Sequence, residues 1–96
     1  MPFAIIYSQA AKDTAGDVHS FIKEKFGEKA ASDFLVKVNT TLKSIAQFPE
    51  MFKASELGEH IRIGLITKQS SVLYEILEDA IFLHYFWDNR QEPMIM

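Results

Sequence analysis

Residues 81–93, IFLHYFWDNRQEP, join an almost unbroken apolar run to an abrupt polar ending. Residues 81–87 are apolar on nearly both alternating sides, which is typical of a covered, central β-strand. Pro93 lacks the backbone N–H that a further ladder would need, so it predicts the end of the sheet. Arg90 lies in the polar segment between the apolar run and Pro93, and we expect its guanidinium to lie beside the sheet.

Two strand-like segments precede this run, at residues 60–67 and 71–77. Both alternate two sets of side chains along the chain, as β-strands do. Arg62 alternates with Ile61, Ile63 and Leu65, so its head is expected on the opposite face. The connections KQS and EDA are short enough for hairpins. The three segments together predict a three-stranded antiparallel meander.

The first half of the chain predicts one strand and two helices. Residues 3–7, FAIIY, are rich in strand formers, and Ser8 follows them as a candidate helix N-cap. The first predicted helix ends near Gly27, and the second runs from about residue 29 to residue 47, where Phe48-Pro49 stops it. Their apolar stripes are Ala11, Ala15, Val18, Ile22 and Phe26, and Ala31, Phe34, Leu35, Val38, Leu42 and Ile45.

The order of these elements predicts an α+β fold in two layers. An N-terminal strand and a two-helix hairpin are followed by a loop at residues 50–59 and then by the meander. Both amphipathic helices are expected to cover one face of a four-stranded sheet. Residues 1–96 form one domain, because 96 residues are one domain's worth of chain.

Composition narrows the function classes. The chain has no cysteine, which excludes disulfides and thiolate metal sites and suits a cytoplasmic location. It has no signal-peptide pattern and no apolar run near the ~20 residues of a membrane span. The three histidines lack metal-ligand spacing, so we expect no metal and no cofactor. The net charge of −3 is not the basic field typical of nucleic-acid binders.

Several stretches resemble the RelE/ParE superfamily of toxins. They are the helix start at Ser8, Ala11 and Asp13, the FP after the second helix, RIGLITKQSSVLYEI at residues 62–76, and the final FWDNRQEP. These toxins belong to bacterial type II toxin–antitoxin pairs and are also known as plasmid stabilisation proteins. The resemblance covers residues 3–93. It implies a cognate antitoxin as partner, and a homodimer or a toxin–antitoxin hetero-oligomer as possible assemblies.

The resemblance leaves two targets open. ParE-like members inhibit DNA gyrase, whereas RelE-like members cut messenger RNA on the ribosome. The RelE-like residue set is only partly matched: its middle-strand arginine falls at Ser71, its terminal tyrosine falls near Met96, and its second arginine is matched by Arg90. A ParE-like gyrase inhibitor is therefore the first prediction. The alternatives are a RelE-like ribonuclease and an inactive module with the toxin fold.

The resemblance and the strand pattern together single out a few residues. For a ribonuclease, the catalytic candidates are Arg90, Lys68, Glu75 and His84, since Glu75 and His84 lie on adjacent strands and could face each other. For partner or target binding, the candidates are Arg62, Arg90, Trp87 and Tyr85. Each has a structural alternative: Trp87 could close the core beneath the tail, and Arg90 could pair with Asp88, Glu92, Glu75 or Glu78.

Overall fold

The computed structural model describes residues 2–91. Its elements in chain order are β1 (Ala4–Tyr7), α1 (Gln9–Phe26), α2 (Glu28–Gln47), β2 (Ala54–Ser55), β3 (Gly58–Leu65), β4 (Ser70–Ile76) and β5 (Ala80–Asp88). The predicted α+β order of strand, two helices and meander is confirmed. One prediction was wrong: the segment 50–59 is not entirely loop, because β2 forms within it and gives the sheet a fifth strand.

The strands form a single sheet in the order β1-β5-β4-β3-β2. β1 runs parallel to β5, and the other neighbours are antiparallel. The last predicted strand is therefore internal, between β1 and β4. A register shift opposite Leu73 and Tyr74 leaves His84 as an extra residue on β5, since Tyr85 pairs with Leu73 and Leu83 pairs with Tyr74. Glu92 and Pro93 lie outside the described residues.

The helices begin and end where the sequence predicts. The Ser8 hydroxyl accepts a hydrogen bond from the Ala11 N–H at 2.9 Å and donates one to the His84 carbonyl, also at 2.9 Å. It therefore caps α1 and ties the helix start to β5. Gly27 separates the helices at φ 98°, a conformation that favours glycine. Among the described residues, neither helix is long and apolar enough to cross a membrane.

Two of the predicted stripe residues are not in the core. The side chains of Phe26 and Leu35 are 52% and 44% exposed, respectively. Phe26 is the last residue of α1, and Leu35 lies off the buried stripe of α2. The core instead contains Ala11, Val18, Ile22, Ala31, Phe34, Val38, Leu42 and Ile45 from the helices, with Val72, Tyr74, Ile81, Leu83 and Phe86 from the sheet.

Gly64 shows which side of the sheet the helices cover. A Cβ at this position would lie 3.1 Å from Ile45 Cδ1 and 3.3 Å from Val72 Cγ1. The backbone of β3 therefore approaches α2 so closely that glycine fits best. Because alternate strand residues point to opposite faces, Ile61, Ile63 and Leu65 point away from the helices.

Candidate functional site

The face of the sheet opposite the helices has no element packed over it among residues 2–91. We call it the outer face. It is formed by the side chains of Ile6, Ile61, Ile63, Leu65, Ser71, Leu73, Glu75, Phe82, His84, Tyr85 and Trp87. Leu65 is 58% exposed and Tyr85 is 44% exposed. Large contiguous apolar surfaces mark binding sites, so the outer face is the candidate site.

A groove of about 520 Å³ runs along one side of the outer face. Its lining consists of Ala54, Ser55, Glu56, Leu57, Ile63, Leu73, Tyr85 and Trp87. The rings of Tyr85 and Trp87, with centroids 5.5 Å apart, form one wall of the groove. The alternative that Trp87 closes the core beneath the tail is wrong, because alternation on β5 directs Phe86 and Asp88 to the helices and Trp87 to the groove.

Glu75 and His84 meet on the outer face. His84 Nε2 lies 2.9 Å from Glu75 Oε1, and the two side chains are 32% and 34% exposed, respectively. The extra residue in β5 brings the histidine next to β4, and the Phe82 ring packs edge-on against the imidazole at 4.9 Å. A histidine oriented by a carboxylate can exchange protons with a ligand, so this pair has the geometry of a general acid or base.

Arg90 lies on the helix side of the sheet. Its Nε donates to Asp88 Oδ1 at 3.0 Å and its Nη2 to Asp88 Oδ2 at 2.9 Å, which makes a bidentate ion pair. The guanidinium lies 4.5 Å from the Phe26 ring centroid at the end of α1. The side chain remains 35% exposed, whereas that of Asp88 is fully buried. Of the candidate partners named above, the structure brings Asp88 to Arg90.

The buried Asp88 carboxylate has several donors. Besides Arg90, the Ser70 hydroxyl donates to it at 2.6 Å, and the Arg90 backbone N–H donates to it at 2.8 Å. Burial raises the pKa of Asp88, but the hydrogen bonds from Arg90 and Ser70 outweigh burial and leave that pKa below its usual value of 3.8. The same pairing raises the pKa of Arg90. The ion pair therefore fastens the end of β5.

Arg62 holds the segment whose residues 54–57 form a second wall of the groove. Its Nη1 donates to the Phe52 carbonyl at 2.6 Å, and its Nε donates to the Glu59 carbonyl at 3.0 Å. The Tyr74 hydroxyl donates to the Pro49 carbonyl at 2.7 Å from the same side of the sheet. Burial raises the pKa of Tyr74 to about 12, although the nearby Arg62 charge opposes this shift. Both side chains anchor residues 49–59 to the sheet.

The sequence-predicted catalytic set is therefore divided. Glu75 and His84 are in contact, but Arg90 is paired on the opposite face, and Lys68 is exposed in the turn between β3 and β4. The partner-binding set is divided too, since Tyr85 and Trp87 share the groove while Arg62 and Arg90 support the structure around it. No cluster of three or more potential metal ligands occurs among residues 2–91.

Leu57 and the Ser70–Asp88 contact were missed by the sequence analysis. Leu57 is 69% exposed at the rim of the groove. The only signal was one leucine in the polar stretch ASELGE, and an isolated apolar residue in a loop is ordinary. Ser70 and Asp88 are 18 residues apart in sequence and pair only through the β4–β5 register. No local pattern could have identified that contact.

No protein-family model and no curated protein sequence matches the chain. Solved structures do. The chromosomal ParDE TA system from P. aeruginosa gives a TM-score of 0.71 at 12% identity, over 90% of this chain and 95% of that chain. The YoeB dimer from Staphylococcus aureus gives a TM-score of 0.61 at 14% identity, over 88% of this chain and 94% of that chain. A copper-bound mutant toxin from Helicobacter pylori gives a TM-score of 0.56 at 15% identity, over 90% of this chain and 93% of that chain.

These similarities establish the fold. The chain has the two-layer α+β architecture of toxins from toxin–antitoxin systems, and the RelE/ParE-like fold predicted from the sequence is confirmed. The fold alone does not distinguish a ParE-like from a RelE-like activity. The properties of the outer face have to distinguish between them.

Proposed function

We propose that this protein is the toxin of a type II toxin–antitoxin system, that it acts in the cytoplasm by binding a protein target, and that an antitoxin neutralises it. The observation that supports a protein target is the chemistry of the outer face. Its strand residues are mainly aliphatic and aromatic, and among those described none is a lysine or an arginine. Protein interfaces are enriched in such aromatic side chains and depleted of charge at their centre.

An RNA substrate would require a different surface. Phosphate contacts supply most of the affinity for nucleic acids, and cations must stabilise the crowded phosphate during cleavage. Here Glu75 is a charged strand residue on the outer face, and it repels phosphate when ionised. Both arginines are engaged in intramolecular contacts. We therefore propose a ParE-like mode of action, with DNA gyrase as the target.

In this proposal the groove provides the binding energy. Tyr85 and Trp87 are the anchors, because large aromatic residues in a desolvated pocket usually dominate an interface. Arg62 contributes indirectly by holding the groove wall, and the exposed part of Arg90 is available at the end of β5. The antitoxin is expected to cover the same groove, which would explain neutralisation by direct competition and give a toxin–antitoxin hetero-oligomer.

A gyrase supercoiling assay with purified protein tests the proposal. The wild-type chain should inhibit supercoiling, and Tyr85→Ala and Trp87→Ala should each weaken inhibition at least tenfold, since an anchor contributes about 2 kcal/mol. Val36→Ala is the matched control, because Val36 is 62% exposed on α2, away from the outer face. Unaffected supercoiling at micromolar protein, in a preparation folded by circular dichroism, would overturn the gyrase assignment.

The Glu75–His84 contact favours one second candidate, a ribosome-dependent endoribonuclease. In that reaction one side chain would take the proton of the attacking 2′-hydroxyl, and the other would protonate the leaving oxygen. Lys68 and Arg90 would have to move to reach the phosphate. Induced expression should then yield cleaved transcripts on ribosomes, and Glu75→Gln and His84→Gln should abolish the cleavage. Intact messenger RNA during growth arrest would exclude this candidate, and normal growth would point to an inactive module.

A further inference from the structure

β1 forms one edge of the sheet, and its outward backbone groups lack partners. The Ala4 N–H donates to the Asp79 carbonyl at 3.3 Å, and the Ser8 N–H donates to the Leu83 carbonyl at 3.1 Å. In a parallel ladder the residues between such positions direct both their N–H and C=O groups away from the neighbouring strand. Ile5 and Tyr7 therefore point to the free edge, where they have no backbone partner among residues 2–91.

Just before β1, one outward backbone group already has a hydrogen-bond partner. The Phe3 N–H also points away from β5, and it donates to the Ala46 carbonyl near the end of α2 at 2.8 Å. The helix thus occupies the first outward position but leaves those of Ile5 and Tyr7. A groove of about 250 Å³ lies beside them, lined by Ile5, Tyr7, Asn39, Leu42, Lys43 and Ala46.

The two edges of the sheet differ in their protection. At the other edge, β2 has two residues, contains a register irregularity and is flanked by Lys53 and Glu56. Short, irregular and charged edges resist pairing with further strands. β1 has the sequence AIIY, with no charge, no proline and no bulge. It is therefore the edge open to strand addition.

We propose that a second copy of this chain pairs with β1 in antiparallel orientation about a twofold axis. In the register that places Ile5 opposite Tyr7 of the second copy, the two residues exchange both backbone hydrogen bonds, and the symmetric pair does the same. Every outward N–H and C=O of Ile5 and Tyr7 is then satisfied in both copies. The strand can do this because it is self-complementary, as a twofold interface requires.

The side chains agree with this register. Ile6 lies on the axis opposite its own symmetry mate in a non-hydrogen-bonded pair, where side chains approach closely. It is on the outer face and 43% exposed, so pairing would bury apolar surface that the single chain leaves in water. Neither strand carries a charge that would repel its copy. The contact is a short strand pair, so the dimer should dissociate on dilution.

Sedimentation velocity over a dilution series, with the full chain, tests the proposal. The wild-type protein should shift from monomer to dimer as its concentration rises. Ile6→Lys should weaken dimerisation at least tenfold, because it places like charges opposite each other on the axis. Ile63→Lys is the matched control: it makes the same substitution at a similarly exposed site, 40% exposed, but away from the edge.

Hydrogen exchange of the backbone amides separates this interface from any other. The Ile5 and Tyr7 amides should exchange more slowly as the dimer forms, and Ile6→Lys should remove that protection. A monomer at every concentration would overturn the proposal, as would a dimer that leaves these amides unprotected or survives Ile6→Lys unchanged. An edge that is covered only when a different protein is bound would also overturn it. None of these results depends on gyrase inhibition, so the two proposals can fail separately.

Discussion

The two faces of one sheet differ in how their side chains are satisfied. On the helix-covered face, Tyr74, Ser70 and Asp88 each have hydrogen-bond partners, and no buried side-chain nitrogen or oxygen among the described residues lacks one. On the outer face, the same strands leave Leu65 58% exposed and Tyr85 44% exposed. Most of the buried core thus lies on the helix-covered face, and the outer face keeps exposed apolar surface.

This difference explains where the two arginines are. Arg62 bonds the carbonyls of the segment that precedes β3, and Arg90 closes on a buried carboxylate. A guanidinium in these roles stabilises the structure, and its bonded N–H groups are not free to bind phosphate. The outer face is left with the Glu75–His84 pair and an aromatic groove, which is why we propose a protein target.

Asp88→Ala should have the largest effect on stability, and it tests the helix-covered face. It removes the acceptor of Arg90 and Ser70 from the covered face, and we expect it to lower the free energy of unfolding by about 3 kcal/mol. Removing one partner of a buried ion pair usually costs about 3–5 kcal/mol. We expect the lower value because Arg90 is 35% exposed and can turn to water. Urea denaturation measures the change. Asp17→Ala, at an exposed site on α1, should change it by less than about 0.5 kcal/mol.

Acid should weaken the same contact. Because the folded pKa of Asp88 lies below the unfolded value near 3.8, its contribution is fully present above that pH and is lost as the pH falls through the folded pKa. Asp88→Asn cannot lose a charge there. Urea denaturation should therefore give a difference between wild type and Asp88→Asn that shrinks below pH 3.8. A constant difference down to strongly acidic pH would contradict the ion-pair account.

Gly64→Val tests how closely the helices press on the covered face. The new Cβ alone would lie 3.1 Å from Ile45 Cδ1 and 3.3 Å from Val72 Cγ1, and we expect a loss of about 2 kcal/mol from overpacking. Thermal or urea unfolding gives the value. The same substitution at Gly16, where a Cβ would meet nothing within 4 Å, should cost less than about 0.5 kcal/mol. Equal losses at both glycines would mean that the backbone change, and not packing, is responsible.

The covered face was largely predictable from sequence, whereas much of the outer face was not. Helical periodicity and the caps at Ser8 and Gly27 are local signals, and the fold they predict is confirmed. Alternation also placed Glu75 near His84. It could not tell that Trp87 faces outward, since the shift at His84 changes which residues share a face. The partner of Arg90 depends on long-range register, which a single sequence does not contain.

Tyr74→Phe tests the contribution of a single hydrogen bond on the helix-covered face. Loss of the hydroxyl removes its 2.7 Å contact to the Pro49 carbonyl, and we expect a cost of about 1 kcal/mol in urea denaturation. Residues 49–57 should also be cleaved faster in limited proteolysis, because one of their anchors is gone. Tyr85→Phe is the control, since the Tyr85 hydroxyl makes no hydrogen bond within residues 2–91. A loss of similar size at Tyr85 would show that the outer face contributes to stability as well.

Leu65→Lys should have the smallest effect, and it tests the comparison most directly. Leu65 is 58% exposed on the outer face, whereas the next residue, Ile66, is 7% exposed and belongs to the core. We expect Leu65→Lys to change the free energy of unfolding by less than about 0.5 kcal/mol. Ile66→Lys should cost several times more, because it buries a charge without a partner. Urea denaturation of the two variants compares adjacent residues that face opposite sides. A large loss at Leu65 would mean that the outer face is part of the folding core, and its apolar surface would then no longer need a partner to explain it.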